Sequence, residues 1–152
     1  MGIARMDVII EKMNEGDLIE VVDMEKEVFA DPWPLGAFKY DLQNNFALVL
    51  VARLDGRVAG YANVYIIEEE VQIGNIAVAP DYRQRGIGSR IIDYVIAEAT
   101  RRKSGYICLE VRQSNEAAQK LYQKFGFEIT GRRKLYYRHP KEDALVMVRE
   151  MN

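Results

Sequence analysis

One stretch constrains this chain more than any other: Ile76-Ala-Val-Ala-Pro-Asp-Tyr-Arg-Gln-Arg-Gly-Ile-Gly-Ser89. Its apolar opening reads as a strand that ends at Pro80, and Gly86 and Gly88 then open a long helical pattern. A strand that passes through a glycine-bearing turn into a helix N-terminus is an anion site. The first N–H groups of the helix have no intrahelical partner, the helix dipole favours negative charge there, and glycine keeps a Cβ out of a phosphate's way. Arg83 and Arg85 add charge suited to a pyrophosphate. A Walker loop is excluded because no Gly-Lys-Ser/Thr follows. A dinucleotide fingerprint fits poorly, since antiparallel-looking strands stand ahead of the loop where a βαβ unit belongs. Tight entry into a helix is the competing explanation of the two glycines, and the loop alone does not choose between them.

Ahead of the loop, residues 7–13 read as a first strand, and Asp17 as the cap of a helix with Leu18, Val21, Val22, Val28 and Phe29 at helical spacing. Asp31-Pro32-Trp33-Pro34 breaks that helix, and a shorter one restarts with Phe38 and Leu42 on one face. Residues 47–54 and 57–67 are β-rich runs joined by Asp55-Gly56, a two-residue hairpin signal. Glu68, Glu69 and Glu70 read as a solvated turn before a strand over residues 71–79.

Beyond Gly88, an apolar stripe of Ile91, Ile92, Val95, Ile96 and Ala99 ends in Arg101-Arg102-Lys103, the charge order a helix dipole favours, with Gly105 as breaker. Ile107, Leu109 and Val111 alternate with Cys108, Glu110 and Arg112, as in a strand. Ser114 or Asn115 caps a last helix with Ala117, Ala118, Leu121, Tyr122 and Phe125 inward. Phe125-Gly126-Phe127 closes it, and strands over residues 128–137 and 144–150 follow. The expected order is β-α-α-β-β-β-α-β-α-β-β in a single domain spanning residues 1–152. That order implies one mixed α/β (α+β) sheet with antiparallel hairpins early and helical crossovers late.

Composition matters here for what it removes. One cysteine, Cys108, excludes an intrachain disulfide framework and a cysteine-cluster metal site. One histidine, His139, argues against a Ser-His-Asp triad or a histidine-centred metal, so no metal is expected. A net charge of −2 offers no global field for nucleic acid. The longest apolar run, residues 46–52, is far short of the ~20 residues that span a bilayer. No signal-like segment precedes the first strand, and Met6 stands where a Met1-Gly2 myristoylation motif wants Ser or Thr. The expectation is a cytoplasmic protein with no membrane or direct nucleic-acid partner; oligomeric state is not legible.

Three blocks together resemble the GCN5-related N-acetyltransferase (GNAT) superfamily: Arg83-x-x-Gly86-x-Gly88 after Ile76-Ala77-Val78; Asn115-x-x-Ala118-x-x-Leu121-Tyr122-x-x-Phe125-Gly126-Phe127; and Leu109-Glu110-Val111-Arg112-x-Ser114-Asn115. The third block, with Asp31-Pro32-Trp33 upstream and Arg133-x-x-Tyr136-Tyr137 downstream, is similar to the RimI branch, which acetylates the N-terminal alanine of a small-subunit ribosomal protein. The similarity runs from about Val8 to Met151. It implies the acyl-CoA N-acyltransferase fold, acetyl-CoA as co-substrate and a protein N-terminus as partner. The chain departs from the branch at Leu135, where RimI-type sequences often carry Asn before the tyrosine pair.

The resemblance assigns roles that the residues alone leave open. Backbone groups of Ile76, Ala77 and Val78 would meet the pantetheine arm, and the amides of Gln84, Arg85, Gly86, Ile87, Gly88 and Ser89 the pyrophosphate. Asn115 fits a plain helix cap and, in the family, also a coenzyme contact. Glu110 could simply pair with Arg112; the resemblance makes it the base. A peptide α-amine is roughly 10–15% neutral at pH 7 and a lysine only about 0.04%, so a modest base serves an N-terminal substrate. Tyr122 sits in an apolar stripe and could be core; the resemblance makes it the acid for the departing thiolate. Trp33, Tyr136 and Tyr137 either fill the core or line a groove for the peptide end. The expected activity is direct acetyl transfer to an N-terminal α-amine, alanine preferred. A GNAT enzyme acting on broader N-termini or a small amine is one alternative, and a non-catalytic acyl-CoA-binding module is another.

Overall fold

Turn chemistry builds the first half of the sheet. In the computed structural model, which describes residues 7–152, Asp55 (φ 52°) and Gly56 (φ 78°) are both left-handed, as the twist of a two-residue hairpin requires. They join β2 (Ala47–Leu54) to β3 (Arg57–Ile67) at the bounds expected from sequence. Glu68, also left-handed at φ 54°, turns the chain into β4 (Glu70–Val78). Glu70 is therefore inside a strand rather than in a solvated turn, and it accepts a 2.7 Å bond from the Tyr106 hydroxyl. The first strand, β1 (Ile9–Lys12), is shorter than expected and pairs with β2. Met1-Gly2 and Met6 lie outside the described residues.

The remaining elements are α1 (Leu18–Val28), α2 (Leu35–Gln43), α3 (Ile87–Arg101), β5 (Tyr106–Arg112), α4 (Glu116–Lys124), β6 (Glu128–Arg138) and β7 (Lys141–Glu150). The order is the one read from sequence. The seven strands lie as β1-β2-β3-β4-β5-β7-β6, all antiparallel except β4 and β5. One core lies where Ile87, Ile91, Ile92, Val95 and Ala99 of α3 meet Leu48, Leu50, Val64, Ile73, Leu109 and Val111. The other joins Val21, Val22 and Phe38 of α1 and α2 to Val49, Val51 and Tyr61. Alternate residues of β2 feed opposite cores, as the two-residue pleat dictates. Among the described residues no helix is long and apolar enough to cross a membrane.

Three local expectations are corrected. Asp17 precedes α1 but makes no cap bond; its carboxylate takes two bonds from Arg53, at 2.8 and 2.7 Å, and one from the Asn14 N–H. The breaker of α3 is Lys103 (φ 58°) rather than Gly105. The Lys103 and Ser104 N–H groups close a Schellman turn onto the carbonyls of Thr100 and Ala99, while the Gly105 N–H bonds Glu69 and lays β5 beside β4. Ala117 is exposed, whereas Tyr122 is the buried residue of α4.

Candidate functional site

The site begins where two parallel strands part. β4 and β5 pair from Glu70↔Tyr106 to Ile73↔Leu109 and no further. Past that point β4 stays with β3 through Val78↔Gly60, and β5 stays with β7 through Arg112↔Ala144. Gly74 marks the split: it is the unpaired residue of a bulge in β4, where the register against β3 slips between Asn63 and Val64. A bulge bends and twists its strand. Only glycine fits, because a Cβ on residue 74 would lie 2.6 Å from the Tyr65 ring, and that ring is held by a 2.6 Å bond from its hydroxyl to Asp41. Ile76, Ala77 and Val78 thus line one limb of an opening gap, with no strand partner on its β5 side among the described residues.

Glu110 is on the other limb. Ile107, Leu109 and Val111 are buried in the α3-side core, so alternation puts Glu110 on the opposite face. Its side chain is 13% exposed, and Arg133 approaches it at 4.0 Å. The bland pairing with Arg112 is not formed: Arg112 is taken by Glu142 at 3.1 Å and by the carbonyls of His139 and Pro140, and it lies 4.2 Å over the Tyr137 ring. Tyr122 comes from the other face. It is buried in the α3-side core with its ring 5.7 Å from Phe127. Burial pushes its phenol well above the usual tyrosine range, and Tyr137 adds to the shift, so Tyr122 holds its proton at neutral pH. Tyr137 is pushed up to about 12, by burial first and then by Tyr136, against the pull of Arg112; the two rings meet edge-on at 5.1 Å.

The phosphate-loop reading acquires detail. Gly86 is left-handed (φ 79°), and so is Gln84 (φ 62°), which the sequence did not mark. Gly88 is instead helical, and a Cβ there would sit 3.5 Å from Leu121 and 3.8 Å from Val78, filling the space between α3, α4 and β4. The ladder of α3 begins with the Arg90 N–H on the Gly86 carbonyl at 3.0 Å. The N–H groups of Ile87, Gly88 and Ser89 precede it, as an anion site requires. Arg83 bonds the Val78 carbonyl at 3.3 Å, and Arg85 stands 5.7 Å over Tyr82. Asn115 is a genuine cap, accepting from the Ala118 N–H at 3.1 Å. These groups fit a diphosphate at the helix start with an amide-bearing chain running along β4 into the gap.

Trp33 stands apart from the tyrosine pair. Its ring packs 5.8 Å from Phe38, and its loop reaches the β6–β7 turn through Asp31 and His139, 3.7 Å apart. Among the described residues no group of three or more His, Cys, Asp or Glu side chains could hold a metal ion. Gly74 was open to sequence reasoning, since a glycine inside a strand signals a bulge. Nothing local marks the left-handed backbone of Gln84.

Residues 18–127 match the acetyltransferase (GNAT) family. The chain belongs to that family. A Bacillus subtilis (strain 168) relative is 37% identical over 139 residues, covering 91% of this chain and 92% of its own length. The [ribosomal protein bS18]-alanine N-acetyltransferase of Escherichia coli (strain K12) is 32% identical over 140 residues, covering 91% of this chain and 94% of its own length. The crystal structure of the ribosomal-protein-S18-alanine N-acetyltransferase from Escherichia coli superposes with a TM-score of 0.89 at 31% identity, over 95% of this chain and 94% of that one. The GNAT fold and the RimI-type relationship expected from the sequence are both borne out.

Proposed function

We propose that this chain, acting as one domain in the cytoplasm, transfers the acetyl group of acetyl-CoA to the N-terminal α-amine of a ribosomal protein that begins with alanine. The observation that carries the reading is the gap between β4 and β5, with Ile76, Ala77 and Val78 on one limb and Glu110 on the other. The name of the Escherichia coli relative supplies bS18 as acceptor.

Acetyl-CoA supplies a thioester whose carbonyl carbon accepts the amine nitrogen while the C–S bond breaks. The chain's residues arrange that event. Amides of residues 84–89 hold the diphosphate, helped by the free Nδ2 of Asn115, whose Oδ1 the cap has used. Backbone groups of Ile76, Ala77 and Val78 hold the pantetheine amides, which fixes the thioester in the gap. Glu110 takes the proton from the α-ammonium on one face of the sheet. Tyr122 donates its O–H to the leaving sulfur from the other. Because its phenol is an intrinsically weak acid, proximity carries most of its effect. Trp33, Tyr136 and Tyr137 border the approach of the acceptor.

Mass spectrometry with acetyl-CoA and two peptides tests the reading. A peptide with a free N-terminal alanine is expected to gain one acetyl group, and an N-terminally blocked, lysine-containing one none. Acetylation of the blocked peptide, or of neither, would discard the N-terminal assignment.

A further inference from the structure

Glu25 on α1 is 1% exposed and has no part in the chemistry above. Its carboxylate nevertheless receives three hydrogen bonds from three other segments: the Tyr61 hydroxyl of β3 at 2.6 Å, Asn75 Nδ2 of β4 at 3.0 Å, and the Trp33 N–H of the loop between α1 and α2 at 3.0 Å. No ion pair involves it among the described residues. Side-chain oxygens this buried are tolerated where hydrogen bonds satisfy them. The two oxygens divide the work. Oε1 serves the sheet through Tyr61 and Asn75, and Oε2 serves the loop through Trp33.

The division has a geometric consequence. Asn75 is the first residue past the Gly74 bulge, on the limb that would carry the acetyl donor. Trp33 is on the loop that would border the acceptor. The loop also packs the Trp33 ring on Phe38, and its other polar tie, Asp31 to His139, joins side chains 64% and 71% exposed, a pair that holds little in water. Glu25 is therefore the buried hydrogen-bonding link between the donor strand and the acceptor wall. We propose that Glu25 is a positioning residue for the acceptor, locking the loop that carries Trp33 against the β4 limb; this rests on the reading of the chain as an N-terminal acetyltransferase.

Replacing Glu25 by Gln turns one acceptor oxygen into an NH2 group, so the side chain can satisfy the sheet donors or Trp33 but not both. In Glu25→Gln the KM for the alanine peptide is expected to rise about tenfold, the scale of one lost buried hydrogen bond, with kcat and the KM for acetyl-CoA within about twofold. Trp33 is the chain's single tryptophan, so its fluorescence reports on the loop, and acrylamide quenching should increase in the variant. Tyr61→Phe removes a sheet-side donor and leaves the loop bond; it should lower Tm yet leave the peptide KM unchanged. An unchanged peptide KM in Glu25→Gln, a parallel rise in the acetyl-CoA KM, or an equal rise in Tyr61→Phe would overturn the proposal. Should Glu25→Gln not fold, hydrogen exchange of the wild-type Trp33 amide decides, since slow exchange supports the tie and free exchange removes it. Failure of the wild-type protein to acetylate any peptide would sink the functional reading instead, and the Trp33 amide would still decide the tie.

Discussion

Glu110 alternates with three buried residues of β5 without being one of them, so changing it should touch the chemistry and spare the core. In Glu110→Gln, kcat for the alanine peptide is expected to fall about 10²-fold, the lower end for loss of a general base, with the acetyl-CoA Kd by calorimetry unchanged. An equal loss in both would make Glu110 a binding residue. Tyr122→Phe should also slow turnover while keeping the helix. Leu135 raises a different question. The sequence shows only a lost polar group before the tyrosine pair. The structure shows the backbone there at φ 51°, with the Leu135 N–H held by Asp143 at 2.8 Å and the residue 65% exposed. Asparagine adopts that left-handed conformation at lower cost than leucine. Leu135→Asn should therefore stabilise the protein by about 1 kcal/mol in urea unfolding, and a loss of stability would show that the leucine side chain makes contacts worth more than the strain.

At the scale of elements, hydrophobic spacing and turn residues were enough to order all eleven helices and strands. The hairpin at Asp55-Gly56 and the apolar stripe of α3 were the firmest, because each follows from a local rule that nothing distant contradicts. The bulge at Gly74 escaped, though it opens the site. The ring that admits only glycine there comes from the neighbouring strand and is itself held by a carboxylate from α2, and local spacing carries no trace of either. Gly74→Ala should cost about 1–3 kcal/mol by overpacking against Tyr65 and should reduce coenzyme binding, because the bent limb has to move. Wild-type stability with normal coenzyme affinity in that variant would mean that the strands part for another reason.

Across the whole molecule the sheet separates two tasks. The α3 and α4 face would receive the coenzyme, the α1 and α2 face the acceptor, and the gap between β4 and β5 connects them. The same arrangement ties distant chain segments through charge. Burial alone would raise the Asp17 carboxyl, but the Arg53 guanidinium and the Asn14 N–H outweigh it and hold the group below its ordinary value. A depressed folded value adds stability above the unfolded pKa of about 3.9 that is lost as pH falls through the folded one. The stability difference between wild type and Asp17→Asn in urea should therefore be full at pH 6 and shrink below pH 4; a difference independent of pH would show that the pair contributes nothing through ionisation.

Sequence alone determined the order of elements, the hairpin at Asp55-Gly56, the apolar stripe of α3 and the family, because those follow from periodicity, turn residues and short motifs that the chain carries locally. Tertiary structure decided that β4 and β5 part at Ile73 and Leu109, that Glu110 is released from Arg112 by Glu142, and that Glu25 binds loop to strand. Each of these depends on groups that only sheet register and helix docking bring within hydrogen-bond or van der Waals reach.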